Sequence, residues 1–285
     1  MLRAVTDTAL YASFFIALCA SALAAETYLL LGVSVPWRLL AFIGAGTLFI
    51  YTAHALVKPA KSANALVSAR QLWINRNRSL LKVVSLSGLA IALGVLATGT
   101  YSLHFWLWMA HLAFIAIAYT VPVFKRRGKW LALRNVPLLK VFLIAYVWAA
   151  VTVQLPLLEQ GQVLFQPQFR HLFPERFLFI LALALLFDIR DLSLDRNLAT
   201  LTLPGLIGDK PARALSVILL LIFCVMAFLN YPLPLALPLV FSALAAILVA
   251  AIAHTNRSDH FFSGLADGMM LLQAILVAVS VAIFR

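Results

Sequence analysis

The sequence predicts an all-α polytopic membrane bundle of about nine transmembrane helices with its N-terminus in the cytoplasm. Composition is the first reason. Of 285 residues, 64% are hydrophobic and only 11% are charged, and the mean hydropathy is +1.00, far outside the range of soluble globular domains. The second reason is that nine apolar stretches are each long enough to cross a hydrocarbon layer about 30 Å thick. The third is the sorting of basic residues. With a cytoplasmic N-terminus, only Arg38, Arg170, Arg176 and Arg285 of the 22 Lys and Arg fall on the outer side, which is the positive-inside pattern. The net charge of +12 is thus topological. No nucleic-acid partner is expected, because the basic residues sit in short loops between spans. The chain reads as one membrane domain, 1–285, placed in a bacterial inner membrane and surrounded by lipid.

Taken in order, the first stretch, 8–31, follows Arg3 and contains Ala22-Leu23-Ala24, which resembles a signal-cleavage site. The apolar run continues through Leu31, so a span is expected. The next two stretches are 36–57 and 80–99. The fourth, 102–122, carries His104 and His111 on one face. Two imidazoles without a third ligand suit packing or hydrogen bonding better than metal binding. Trp106 and Trp108, near its outer end, read as an interfacial aromatic belt. The fifth stretch, 137–155, ends at Gln154, which is expected to satisfy backbone groups beside Pro156. The remaining four are 175–194, 212–230, 233–253 and 261–284. Cys19 and Cys224 lie in apolar runs and read as packing residues. Outer connections are mostly short, whereas the inner ones at 58–79, 125–137, 196–212 and 254–260 are basic. The first and third of these lie four spans apart and would suit a pseudo-repeated bundle.

The sixth stretch ends in Asp188, Asp191 and Asp195, three of the chain's ten acidic residues. At spacing i, i+3, i+7 they fall within an arc of roughly 60° on one helical face. They repel one another there and approach the negative end of the helix dipole. Arg190 and Arg196 are not three or four residues from any of them, so no intrahelical ion pair is expected. A bound cation would relieve the repulsion, and Mg2+ is the natural choice, held by one or two carboxylates and completed by water and phosphate oxygens. The alternative is a solvated helix end paired with arginines from another loop. The apolar run from Phe177 to Phe187 covers only about 16 Å. Asp188 therefore falls at membrane depth, which implies a polar cavity facing the cytoplasm. Asp267, about six residues into the last stretch, is a second intramembrane carboxylate, either functional or the buried partner of an arginine.

Beyond Asp195 the chain continues to Thr202-Leu203-Pro204-Gly205, with Lys210 and Arg213 following. The D-x-x-D-x-x-x-D run and this T-L-P-G segment resemble the second aspartate-rich motif of the UbiA superfamily of intramembrane prenyltransferases. Tyr119-Thr120-Val121-Pro122-Val123-Phe124-Lys125-Arg126 is similar to that family's segment closing the fourth span. The resemblance implies a bundle around a central cavity that opens to the cytoplasm and laterally to lipid. It implies Mg2+ bridging two aspartate-rich motifs to a prenyl diphosphate, and transfer of the prenyl group to an aromatic or other lipophilic acceptor. By that resemblance Asp188, Asp191 and Asp195 would hold Mg2+, and Asp191 and Asp195 would serve catalysis. Tyr119, Lys125, Arg126 and Lys210 would bind substrate, and Asp267, as an intramembrane carboxylate, is a further candidate substrate contact; the basic residues among them read equally as positive-inside anchors. The family's first motif, expected after the second span, is replaced by Tyr51-Thr52-Ala53-His54-Ala55-Leu56-Val57-Lys58-Pro59-Ala60-Lys61, and no acid occurs between Glu26 and Glu159. Two outcomes stay open. His54, Lys58, Lys61 or Arg70 contact the diphosphate while one motif binds a single Mg2+, or the bundle binds isoprenoid or another anionic lipid without chemistry. A secondary transporter is a third class, but paired spans with Gly or Pro interruptions are absent.

Overall fold

The computed structural model describes residues 2–57, 69–126, 129–133, 136, 138–162, 166, 169–192 and 201–284. The chain is a helical bundle. Its elements are α1 (Leu2–Tyr11), α2 (Phe14–Leu31), α3 (Trp37–Val57), α4 (Ala69–Arg76), α5 (Arg78–Ala97) and α6 (Leu103–Thr120), then a hairpin of β1 (Phe124–Arg126) and β2 (Lys129–Leu131). These are followed by α7 (Leu139–Glu159), α8 (Leu172–Arg190), α9 (Leu203–Ile207), α10 (Asp209–Asn230), α11 (Leu233–Ile252) and α12 (Phe261–Phe284). Among the described residues, eight helices are long and apolar enough to cross a membrane. α8 falls outside these eight because it carries four charged residues, Glu175, Arg176, Asp188 and Arg190. The chain is thus an integral, multi-pass membrane protein.

The first apolar stretch is not one helix. Ser13 adopts φ 68°, a left-handed conformation that a residue with a Cβ enters only at a cost. This break separates α1 from the spanning α2. α5 lies against α3, α3 against α2, and α2 against α12; α11, α10, α8 and α7 then follow as successive neighbours. Small residues bring these helices together. A Cβ on Gly88 would stand 2.9 Å from the Ala45 carbonyl oxygen and 3.2 Å from the Phe49 nitrogen, so α5 touches the backbone of α3. α8 is buried on all sides from Phe179 to Leu186, as expected of a helix that is apolar all round.

Local exceptions to regular helix are compensated nearby. Pro238 lies within α11 and lacks an N–H, which frees the Pro234 carbonyl four residues earlier. The Ser280 hydroxyl of α12 donates to that carbonyl. α7 contains a π-helical turn at Ala150–Gln154, and α12 begins with another at Phe261–Ala266. Beside the first, the Thr27 hydroxyl of α2 donates to the Thr152 carbonyl at 2.7 Å. Gln154, expected to satisfy backbone groups, is buried, and its Oε1 has no hydrogen-bond partner among the described residues. The T-L-P-G segment forms α9, whose Thr202 side chain caps it by accepting from the Gly205 N–H at 3.3 Å.

Candidate functional site

α8 ends at Arg190, one turn earlier than the spacing of the three aspartates requires. Asp188 is therefore the last acid on the helix, and Asp191 is its C-cap at φ −85°, ψ 2°. The shared helical face expected for all three acids is not formed by these two. Asp195 lies outside the described residues. No intrahelical ion pair at i, i+3 or i, i+4 spacing is expected, and the early end provides a different one between adjacent residues. Released from the helix, Asp191 accepts from Arg190 Nε at 2.8 Å and from Arg190 Nη2 at 3.2 Å. Asp188, buried to 2% exposure, is met by Lys140 from the first turn of α7, with Nζ 2.7 Å from Oδ1. The same ammonium is 3.9 Å from Asp191 Oδ2.

Helix ends from distant parts of the sequence converge here. The Leu138 N–H donates to the Leu201 carbonyl at 3.1 Å, tying the start of α7 to the chain after α8. Arg70 at the start of α4 donates its backbone N–H to Asp259 Oδ2 at 3.4 Å. Burial and repulsion from Arg190 pull the Arg70 guanidinium below its usual pKa, against attraction from Asp191, Asp259 and Asp267. Arg190 Cζ lies 4.9 Å from the Phe187 ring centroid and 5.8 Å from that of Phe262, which fixes the guanidinium between two aromatic faces. Arg190 Nη1 and Arg70 Nε are buried, and neither has a hydrogen-bond partner among the described residues.

Asp267, in the first turns of α12, lies within electrostatic range of both Arg190 and Arg70, and no ion pair joins it to either among the described residues. The Tyr51 hydroxyl accepts from Trp148 Nε1 at 3.1 Å. His54 stands beside Tyr119 with ring centroids 5.9 Å apart and shares a hydrogen bond with the Thr120 hydroxyl. Lys125 on β1 and Lys210 in the first turn of α10 are exposed. Arg126 forms part of β1 opposite Lys129, but its side chain, like all of Lys58 and Lys61, lies outside the described residues. His111 is hydrogen-bonded to the Tyr146 hydroxyl at 2.9 Å, as its solitary pairing suggested.

The sequence reading missed Lys140, Trp148 and the pairing of Arg190. Lys140 did leave a signal, since it is the sole charged residue of the fifth apolar stretch. At the opposite end of the bundle a second polar cluster was also missed. Glu26 of α2 and Arg176 of α8 pair at 3.0 Å with 2% and 4% exposure. Glu175 accepts from Asn230 Nδ2 at 2.6 Å and from the Tyr231 hydroxyl at 2.8 Å. A small cavity is lined by Glu26, Glu175, Arg176 and Gln273.

Among the described residues, no group of three or more His, Cys, Asp and Glu converges on a point. Asp188 and Asp191 do converge, and two carboxylates suffice for one hard ion that completes its shell with water and phosphate. The residues therefore fit a single divalent ion at that point once the Lys140 ammonium leaves it. They do not furnish the acids of a second motif.

The fold and site define a polytopic helical membrane protein with a charged, aromatic-lined site at one end of its bundle. No family model and no curated protein sequence matches the chain. Solved structures do. A UbiA homologue from Archaeoglobus fulgidus bound to GPP and Mg2+ superposes with a TM-score of 0.65 at 13% identity, over 96% of this chain and 99% of that one. The same homologue bound to DMAPP and Mg2+ gives 0.62 at 14% identity, covering 96% and 99%. A digeranylgeranylglyceryl phosphate synthase gives 0.51 at 12% identity, covering 99% and 98%. The chain has the UbiA fold.

Proposed function

We propose that this chain is a divergent member of the UbiA superfamily, a membrane prenyltransferase that takes a prenyl diphosphate at the cytoplasmic face of a bacterial inner membrane. The observation that carries this reading is the pair of buried guanidinium nitrogens, Arg190 Nη1 and Arg70 Nε, that have no acceptor among the described residues, near Asp188 and Asp191. Such donors suit phosphate oxygens. In the reaction the C1–O bond of the prenyl diphosphate breaks, and its electron pair leaves with the diphosphate. A lipophilic acceptor, aromatic or otherwise, then gives an electron pair to C1 and loses a proton. Arg190, Arg70 and Lys140 neutralise charge accumulating on the leaving group. Tyr51, Trp148 and Tyr119 shelter the allylic cation and present π faces to it. A divalent ion, Mg2+ as in the structural neighbours, would be held by Asp188 and Asp191 with Asp195, and would add positive charge at the leaving diphosphate. His54, Lys58, Lys61, Lys125, Arg126, Lys210 and Asp267 complete the proposed substrate contacts, and Asp191 and Asp195 the catalytic pair.

A second reading has its own observation. The first acidic motif is missing and Lys140 neutralises the second, which suits a binder of isoprenoid or other anionic lipid without turnover. Purified protein given a prenyl diphosphate, Mg2+ and a phenolic acceptor separates the two. Pyrophosphate release with an organic-extractable prenylated product, both lost in Asp191→Asn, supports the enzyme. Binding without release supports the second reading, and absence of binding refutes both.

A further inference from the structure

Lys140 stands where a divalent ion would have to sit. Its ammonium is 2.7 Å from Asp188 Oδ1 and 3.9 Å from Asp191 Oδ2, the two carboxylates that suit such an ion. As the second residue of α7, Lys140 places a cation at the positive end of a helix dipole, where cations are disfavoured. The carboxylates in turn sit at the negative end of α8, where anions are disfavoured. Each charge is misplaced on its own helix and neutralised across the contact between the two. A divalent ion at the same point would relieve the carboxylates but would stand against the ammonium, so the two cations exclude each other.

The cations around the acids are held in different ways. Arg190 is held on Asp191 by two hydrogen bonds and enclosed by Phe187 and Phe262. Arg70 is tied by its backbone to Asp259 and faces Asp267. Lys140 has 21% of its side chain exposed and carries its charge on a flexible four-carbon stem whose ammonium can exchange one set of oxygens for another.

We propose that Lys140 competes with the divalent ion for Asp188 and Asp191. Without diphosphate the ammonium holds the acid pair and excludes the ion. When a diphosphate arrives, the ammonium moves to its oxygens and frees the carboxylates, so ion and diphosphate enter together. The second half of this inference rests on the prenyl diphosphate reading; the first concerns the protein alone.

Mn2+ binding to the full-length protein, read by electron paramagnetic resonance without any diphosphate, tests the competition. Lys140→Met should bind Mn2+ at least tenfold more tightly than wild type, the scale of one charge-assisted hydrogen bond released. Lys140→Arg should bind as weakly as wild type, and adding Asp188→Asn to Lys140→Met should remove the gain. Equal affinity in wild type and Lys140→Met overturns the proposal. Should Lys140→Met fail to fold, wild type decides alone: a non-hydrolysable prenyl diphosphate analogue must raise its Mn2+ affinity, and unchanged affinity with analogue bound overturns the proposal. A gain in Lys140→Met together with no analogue binding upholds the competition and removes the prenyl diphosphate reading.

Discussion

Arg176→Met should destabilise the bundle by about 3–5 kcal/mol, the cost of stranding one partner of a buried ion pair. Arg176 donates to Glu26 from Nη2 at 3.0 Å and from Nη1 at 3.5 Å, and to the Leu23 carbonyl at 3.3 Å. Methionine supplies none of these contacts. Glu26 would be left charged at 2% exposure, with Glu175 adjoining the same cavity. Replacing both partners by apolar residues, as in Glu26→Leu/Arg176→Met, removes the stranded charge and should recover most of the loss. Thermal unfolding of purified protein in detergent measures all three variants. Because twelve residues of helix separate Arg176 from Asp188, about 18 Å, binding of a prenyl diphosphate analogue by the folded fraction should be unchanged. Wild-type stability in Arg176→Met, or a double variant as unstable as the single one, would refute the reasoning.

Three further substitutions probe packing, backbone compensation and the aromatic lining. Gly88→Val should cost about 1–3 kcal/mol, because its side chain meets the α3 backbone; thermal unfolding reports it. Ser280→Ala leaves the Pro234 carbonyl without its hydroxyl donor and should cost about 0.5–1.5 kcal/mol, seen as earlier hydrogen exchange in α11. Trp148→Leu removes both an indole donor to Tyr51 and a π face. It should lower prenyl transfer about tenfold, the scale of one desolvated cation–π contact, while analogue binding stays near wild type.

Spanning helices were legible because twenty consecutive apolar residues have few other solutions. The break at Ser13 was not, since nothing in Tyr11-Ala12-Ser13-Phe14 signals a left-handed residue. The acidic motif was legible as residues but not as geometry. Its interpretation assumed that the helix continued through Asp195, whereas α8 ends at Arg190 and turns Asp191 onto its neighbour. Pairings between distant residues were out of reach: Lys140 meets Asp188, and Glu26 meets Arg176, only because antiparallel helices bring them level. A lone lysine in an apolar stretch and a lone glutamate in another mark such pairs without naming the partner.

Binding of a non-hydrolysable geranylgeranyl diphosphate analogue to purified wild type and Asp191→Asn, each with and without Mg2+, tests the central claim most directly. The account predicts that the wild type binds, that Mg2+ tightens binding, and that Asp191→Asn abolishes the tightening. Failure of the wild type to bind the analogue under either condition would contradict it.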